Sequence, residues 1–414
     1  MSTRNFPNFI EAFCDYTTLM GAPTKFFQWS AVAGIAACLE RRTWVVYNGS
    51  QIIYPNMYIM LIAESGIANK STATQPIIGM LKEIPSIYFL STQMSTASLI
   101  SQFQTAGVEK RFEHLGEKFC NSSLFSYSSE AATTIGDNKA LGDIQVLLTD
   151  FYDCGTPNIW TNAGSWSKNL VSTGTQTIYN PCLNILYCST PTWLLKSIGR
   201  QGIAGGFASR FIFVNQFERH QANLEWLEDD EITSDSKHMR SKLIADLTQM
   251  TRLRGTYKVG KGFKDVYNKL LKERNQKVDQ GGDMQSYYSR KMWHLLKMSQ
   301  ILTANETNEM IIKPETLEKA NEMLVAVEAN MYEPFVKSEL SISAFTRSVW
   351  KFCQSKGANT KVTRREITTQ FLDRLNSPKQ LDDALQLLST MQKIRLDTSA
   401  SPVSYMVLTD AEID

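Results

Sequence analysis

In the stretch ESGIANKST, Glu64 to Thr72, a lysine and two hydroxyl residues follow closely on a glycine. Such a set can hold phosphate. Backbone N–H groups of a glycine-bearing turn face the oxygens, the lysine ammonium meets the β- and γ-phosphates, and the next hydroxyl ligates Mg2+. The consensus for such a loop is G-x-x-x-x-G-K-[ST]. Lys70 and Ser71 satisfy it, with Thr72 beside them, but Glu64 stands at the first glycine position and Asn69 at the second. Gly66 is the glycine that lets the backbone turn. A surface lysine opening an ordinary helix is the competing reading of the same residues.

Nucleotide hydrolysis also needs an activated water, a sensor of the γ-phosphate and usually an arginine. Glu130 closes the apolar run SLFSYSSE, 60 positions after Lys70, where a water-positioning carboxylate belongs. Ser129 precedes it in place of the usual Mg2+-binding aspartate and could hold a metal-bound water. Alternatively, Glu130 is the charge that favours the start of the next helix. Ser189 and Thr190 end the run PCLNILYCST and suit a polar sensor, or a cap on the helix TWLLKSIG. Arg210 follows the flexible GGFAS and could reach a neighbouring subunit's nucleotide; Arg200 is a second candidate, and a surface salt bridge is the alternative for both. Arg290, at the start of SRKMWHLLKMSQ, could approach the phosphates from a helical lid.

These residues sit in apolar runs separated by helical patterns. NMYIMLIAE, SLFSYSSE, PCLNILYCST and ASRFIFVNQF read as buried strands. Their alternation with helices predicts an α/β domain with a mostly parallel sheet, whose catalytic groups lie at the strands' carboxyl ends. Helical periodicity marks residues 1–50 as an N-terminal helical segment, with a strand near TWVVY, and 51–230 as the core. The acidic EWLEDDEITSDS then leads into an α-helical lid, 231–338. In 339–414, three helices and a β-hairpin follow the order of a winged helix. There, ten Lys/Arg against four acids between Ser341 and Leu396 suggest phosphate contact. The polar, aromatic segment Thr156–Ser172, with Lys168, is a candidate strand-tracking loop or a plain surface excursion.

Composition sets outer bounds. The 414 residues are 43% hydrophobic with a net charge of +2, so nothing in the whole-chain charge announces a nucleic-acid binder. Seven scattered cysteines form no C-x-x-C pair, which predicts reduced thiols in the cytoplasm and no zinc site. No signal-peptide core and no membrane-length run are present, so no membrane partner is expected.

Taken in order, the blocks FFQWSAVAGIAACLERRTWV, YPNMYIMLIAESG, the G-x-x-N-K-S-T loop, LFSYSSEAATTIG, LLTDFYDC, PCLNILYCSTPTWL and GGFASRFIFV resemble a family of phage- and plasmid-encoded P-loop ATPases associated with primases. That family is similar to AAA+ and MCM-like replicative helicases. The resemblance implies a P-loop NTPase core of AAA+/RecA-like type, with the helical lid and C-terminal winged helix. It matches Lys70 and Ser71 to the Walker A lysine and hydroxyl, Glu130 to the Walker B glutamate, Ser189 or Thr190 to sensor 1, and Arg210 to the arginine finger. ATP and Mg2+ are the implied cofactors. The implied assembly is a homo-oligomeric ring, a hexamer, with single-stranded DNA in its channel and a separate primase or polymerase as partner. The expected function is an ATP-dependent DNA helicase; the alternative, favoured by Asn69 and Ser129, is a helicase loader or assembly factor with a slow ATPase.

Overall fold

The first helix, α1 (Phe9–Thr17), begins where the Asn8 side-chain oxygen accepts the Glu11 N–H at 3.2 Å. The computed structural model to which it belongs describes residues 4–49, 51–91, 95–109, 111–114, 117–135, 141–158, 163–170, 174–194, 206–220, 229–282, 284–331, 344–372, 378–390, 392–397 and 404–408. Arg200 lies outside them. The chain divides into two units, Met1–Tyr332 and Glu333–Asp414.

In the first unit α2 (Thr24–Leu39) is apolar on nearly every face, and a helix of that kind must be buried. It packs against α1 and the helix that carries Lys70. The contact is close: a Cβ on Gly34 would come within 2.5 Å of Ile77. β1 (Thr43–Tyr47) and β2 (Gln51–Ile53) follow as an antiparallel pair. β3 (Tyr58–Ile62) is buried at every residue and leads through the loop into α3 (Lys70–Lys82). Next come α4 (Thr96–Glu109), the pair β4 (Arg111–His114) and β5 (Glu117–Cys120), and then β6 (Ser122–Ser128). After β6 lie α5 (Ala131–Ile135) and α6 (Leu141–Tyr152). The strands β7 (Thr156–Asn158), β8 (Ala163–Leu170) and β9 (Gly174–Tyr179) form an antiparallel sheet. The candidate strand-tracking segment is therefore largely sheet, and Trp166 in it donates to Asp150 at 3.0 Å.

β10 (Pro181–Ser189) and β11 (Phe211–Asn215) complete the central sheet, whose order is β11-β3-β10-β6 with every pairing parallel. The chain is thus an α/β protein with a parallel sheet. Complete burial of β3, β10 and β11 explains their mostly apolar runs, and the polar Asn184 inside β10 is satisfied by accepting the Met57 N–H. The register Ile185↔Tyr58 and Phe211↔Tyr58 puts the carboxyl ends of β3, β10 and β11 on one edge. A bridge from Phe89 to Phe125 extends the layer beyond β6.

The remaining helices of this unit are α7 (Asp229–Met250), α8 (Phe263–Asp279), α9 (Gln285–Glu306) and α10 (Pro314–Glu328). The stretch expected to be an all-helical lid also carries β12 (Gly255–Val259) and β13 (Ile311–Ile312). They join β1 and β2 in a mixed sheet of order β13-β12-β1-β2. α9 packs on α2, β1, β2 and the 3-10 turn Ala208–Arg210 that precedes β11. It therefore lies at the amino-terminal edge of the parallel strands, away from the Lys70 loop. Among the described residues no helix is long and apolar enough to cross a membrane.

The second unit runs α11 (Ala344–Gln354), β14 (Lys361–Thr363), α12 (Arg364–Gln370), α13 (Pro378–Thr390), β15 (Ile394–Asp397) and β16 (Ser404–Val407). Thr363 and Glu366 form a reciprocal capping box that starts α12. The strand β14, which the sequence pattern does not separate from α12, pairs with β16, giving an antiparallel sheet of order β14-β16-β15. Trp350, Ile367, Leu385, Leu388 and Val407 are among the side chains of its core. The exposed face of α13 carries Asp382 and Asp383, while exposed Arg347, Lys351, Lys356, Arg364 and Arg365 lie on α11, α12 and the turn after α11.

Candidate functional site

The carboxyl ends of β3, β6 and β10 open into a cleft of about 310 Å³ lined by Ser65, Gly66, Asn69, Lys70, Ser71, Thr72, Ser129, Glu130, Ser189 and Thr190. Residues spread over more than a hundred positions meet there because three parallel strands end side by side.

The loop explains its own departures from the consensus. Asn69 has φ 43° and ψ 47°, the left-handed conformation that the consensus glycine would supply, and asparagine is one of the few other residues that adopt it readily. Gly66 has φ 76°, and a methyl group added at its Cα would meet nothing within 4 Å, so its role is conformational and not a matter of space. Asparagine is also a favoured helix cap, but here its side chain turns away and Nδ2 donates to the Gly21 carbonyl at 2.9 Å. Among the described residues no side chain caps the start of α3. The first N–H groups of the helix, at Lys70, Ser71 and Thr72, have no intrahelical acceptor, so they and the positive end of the helix dipole face the cleft.

Replacing Asn69 separates its two roles. Asn69→Gly keeps the left-handed turn and should leave anion binding near wild type. Asn69→Val should cost about 1–2 kcal/mol in backbone strain. Denaturation midpoints and phosphate titration of both variants check this, and equal losses in the two would show that the Gly21 link matters more than the turn.

Lys70 Nζ donates to the Ala63 carbonyl at 2.5 Å and to that of Glu64 at 3.4 Å. Burial lowers its pKa, opposed by Cys188, Glu64 and Glu130. The ammonium is therefore parked on strand-end carbonyls beside the uncapped amides, within reach of an anion placed there. Thr74 and Tyr127 join α3 to β6 through a 2.9 Å hydroxyl contact. Ser128 Oγ donates to the Glu130 carbonyl at 2.5 Å and accepts its N–H at 3.2 Å, fixing the turn that presents Glu130. Glu130 is exposed, immediately before α5, so its place suits both readings offered for it. Thr190 Oγ1 accepts the Trp193 N–H at 3.3 Å, the capping role, while also lining the cleft. Ser189 Oγ donates to the Thr190 carbonyl at 3.2 Å.

The structure does not bring Arg210 and Arg290 to this cleft. Arg210 precedes β11 and so lies at the opposite edge of the sheet. The five residues of β3 separate the two edges by roughly 17 Å at about 3.3 Å per residue. It is buried, with Nη2 on Asp153 Oδ2 at 2.6 Å and Nη1 on the Gly206 carbonyl at 2.5 Å. Arg290, on α9, pairs with the other Asp153 oxygen at 3.7 Å. Arg290 misses the cleft because α9 covers the amino-terminal edge. Sequence reasoning assigns Asp153 no role, although it lies in the block LLTDFYDC; nothing in one chain announces a carboxylate shared by arginines 57 and 137 positions away.

His294 anchors α9 at this edge. Its Nε2 meets the Ser209 carbonyl at 2.9 Å and its Nδ1 the Tyr152 hydroxyl at 2.9 Å. A carbonyl only accepts, so Nε2 carries the proton and Nδ1 accepts from Tyr152. Burial keeps the ring neutral, its pKa pushed from 6.5 to about 3. Between those values the unfolded chain binds a proton that the folded chain refuses, so this stability is present above pH 6.5 and lost as pH falls. We expect the loss to approach about 1.4 kcal/mol per pH unit below about pH 6, read as denaturation midpoints. The part of the slope due to this ring should vanish in His294→Gln, and an unchanged slope there would assign the proton to another group.

Compared with protein-family models and with curated proteins, the chain matches none. Fold and site define its class: an α/β protein whose parallel sheet carries an anion-ready, polar cleft at its carboxyl edge.

Proposed function

We propose that the chain is an ATP-dependent DNA motor, a ring-forming replicative helicase of a phage or mobile element acting in the cytoplasm of its host. Its core is read as a P-loop NTPase of AAA+/RecA-like type and its second unit as a winged helix. The observation that carries the reading is the cleft itself. A left-handed turn at Asn69, three uncapped amides, Lys70, Ser71 and Glu130 face one space at the ends of parallel strands. In this reading the amides and Lys70 hold the phosphates, Glu130 orients the attacking water, and Ser189 or Thr190 reports on the γ-phosphate.

The hydroxyls of Ser71 and Ser129 are hard oxygen donors of the kind Mg2+ takes, together with waters and substrate phosphates. The residues therefore fit that ion, which when bound neutralises phosphate charge. Arg210 and Arg290 lie on the edge remote from the chain's own cleft. Arg290 can serve a nucleotide only if another copy holds it, an arrangement that a ring, a hexamer in this proposal, supplies; Arg210 would have to leave Asp153 and the Gly206 carbonyl to act as the arginine finger. Single-stranded DNA in the channel and a separate primase or polymerase complete it. In the second unit Arg364 pairs with Asp382 of α13, so contact with DNA falls to the exposed Arg347, Lys351, Lys356 and Arg365.

A second reading, a helicase loader or assembly factor with slow turnover, is favoured by one observation: Glu130 is the single carboxylate among the cleft residues, with Ser129 beside it. ATP turnover with and without single-stranded DNA, alongside unwinding of a forked duplex, separates the two. DNA-stimulated turnover with unwinding supports the motor. Nucleotide-dependent oligomers without turnover support the loader.

A further inference from the structure

A second cavity, of about 300 Å³, lies at the amino-terminal edge of the sheet. α9 supplies one wall with Arg290, Trp293 and Lys297, spaced to share one helix face. Tyr54, Tyr152 and Asp153 are among the residues facing them. Its charge is unbalanced. Asp153 is the single acid among the lining residues, and its two oxygens are engaged by Arg210 and Arg290. Lys297 is 5% exposed, and its contacts among the described residues are the neutral Asn56 Oδ1 and the Tyr152 ring, whose centre is 4.2 Å from its Nζ. The Cys154 thiol shares that same Asn56 oxygen at 3.5 Å. Behind Tyr54 lies a further buried guanidinium, Arg41, centred 4.3 Å from the ring. Nε of Arg210 and Nη2 of Arg41 are buried without an acceptor among the described residues.

Buried cations are normally paired, because a charge taken out of water must be compensated. Here Arg290 and Lys297 face a single lining acid that Arg210 also engages, and burial lowers the Lys297 pKa, a cost that a bound anion would offset. We propose that this cavity binds a phosphate-class oxyanion, with Arg290 and Lys297 as its direct ligands and Asp153 orienting Arg290. The aromatic walls lower the local dielectric and strengthen the contact. The ligand is a free phosphate-class anion taken from solution. The proposal rests on this cavity and not on the reading of the Lys70 cleft.

The test uses the full chain carrying Lys70→Ala, which weakens anion binding at the first cleft, titrated calorimetrically with inorganic phosphate and with pyrophosphate at fixed ionic strength. One-site binding is expected, weakened about tenfold or more by Arg290→Gln and by Lys297→Met, and unaffected by Lys269→Gln on the exposed face of α8. Arg290 is partly exposed, so Arg290→Gln keeps the test valid if Lys297→Met fails to fold. If neither phosphate nor pyrophosphate binds, or if binding is indifferent to Arg290→Gln, the proposal is overturned. Failure of the first cleft's reading would show separately, as nucleotide binding indifferent to Lys70→Ala.

Discussion

Lys70→Ala is expected to weaken ATP binding by about 10- to 100-fold, the worth of a charge-assisted hydrogen bond to phosphate. Turnover is expected to fall by about 10²- to 10³-fold, as when one preorganised donor is removed from a developing charge. The ammonium already sits at the cleft, on the carbonyls of Ala63 and Glu64. Transfer to a phosphate oxygen therefore exchanges weak acceptors for a charged one. Alanine is a strong helix former, so α3 should persist and stability should change little. Nucleotide titration beside a denaturation curve checks both halves. An unchanged affinity in a folded variant would return Lys70 to the reading of a lysine that merely opens a helix.

Glu130→Gln is expected to act on turnover and leave binding alone. Gln preserves the shape but cannot take a proton, and loss of a positioned general base costs about 10²- to 10⁴-fold in rate. Nucleotide affinity should stay within about threefold, since the interaction removed is one made in the transition state. The competing role, a charge at the start of α5, makes a different forecast: about 0.3–1 kcal/mol of stability lost and turnover unchanged. Single-turnover kinetics and thermal denaturation of the same variant separate the two roles. Turnover equal to wild type would remove Glu130 from the catalytic assignment.

The central strands are legible in the sequence because burial on both faces demands mostly apolar runs, and NMYIMLIAE and, despite Asn184, PCLNILYCST have that form. The cleft residues are legible because parallel strands deliver their carboxyl ends to one edge, so naming the strand ends names the site. The helical lid is legible only in part. β12 and β13 are short and half-exposed; β12 pairs with β1 some two hundred positions away and β13 with β12 some fifty positions away, so no local pattern marks them. The place of Arg290 escapes the sequence for a related reason. Helical periodicity tells which residues share a face, as Arg290, Trp293 and Lys297 do, but not which edge of a distant sheet that face covers.

Asn69 shows the division most clearly. The sequence alone determined that a lysine and hydroxyls follow a turn between a buried strand and a helix, because periodicity and turn chemistry are local. Whether Asn69 spoils that turn is decided by a backbone angle and by where its amide points, and the amide donates to the Gly21 carbonyl, forty-eight positions earlier. Only the tertiary structure decided that the side chain leaves the helix start uncapped, and that Arg210 and Arg290 meet at Asp153 on the far edge. Each of those outcomes comes from contacts between residues remote in the chain, and a single sequence carries no local signal for them.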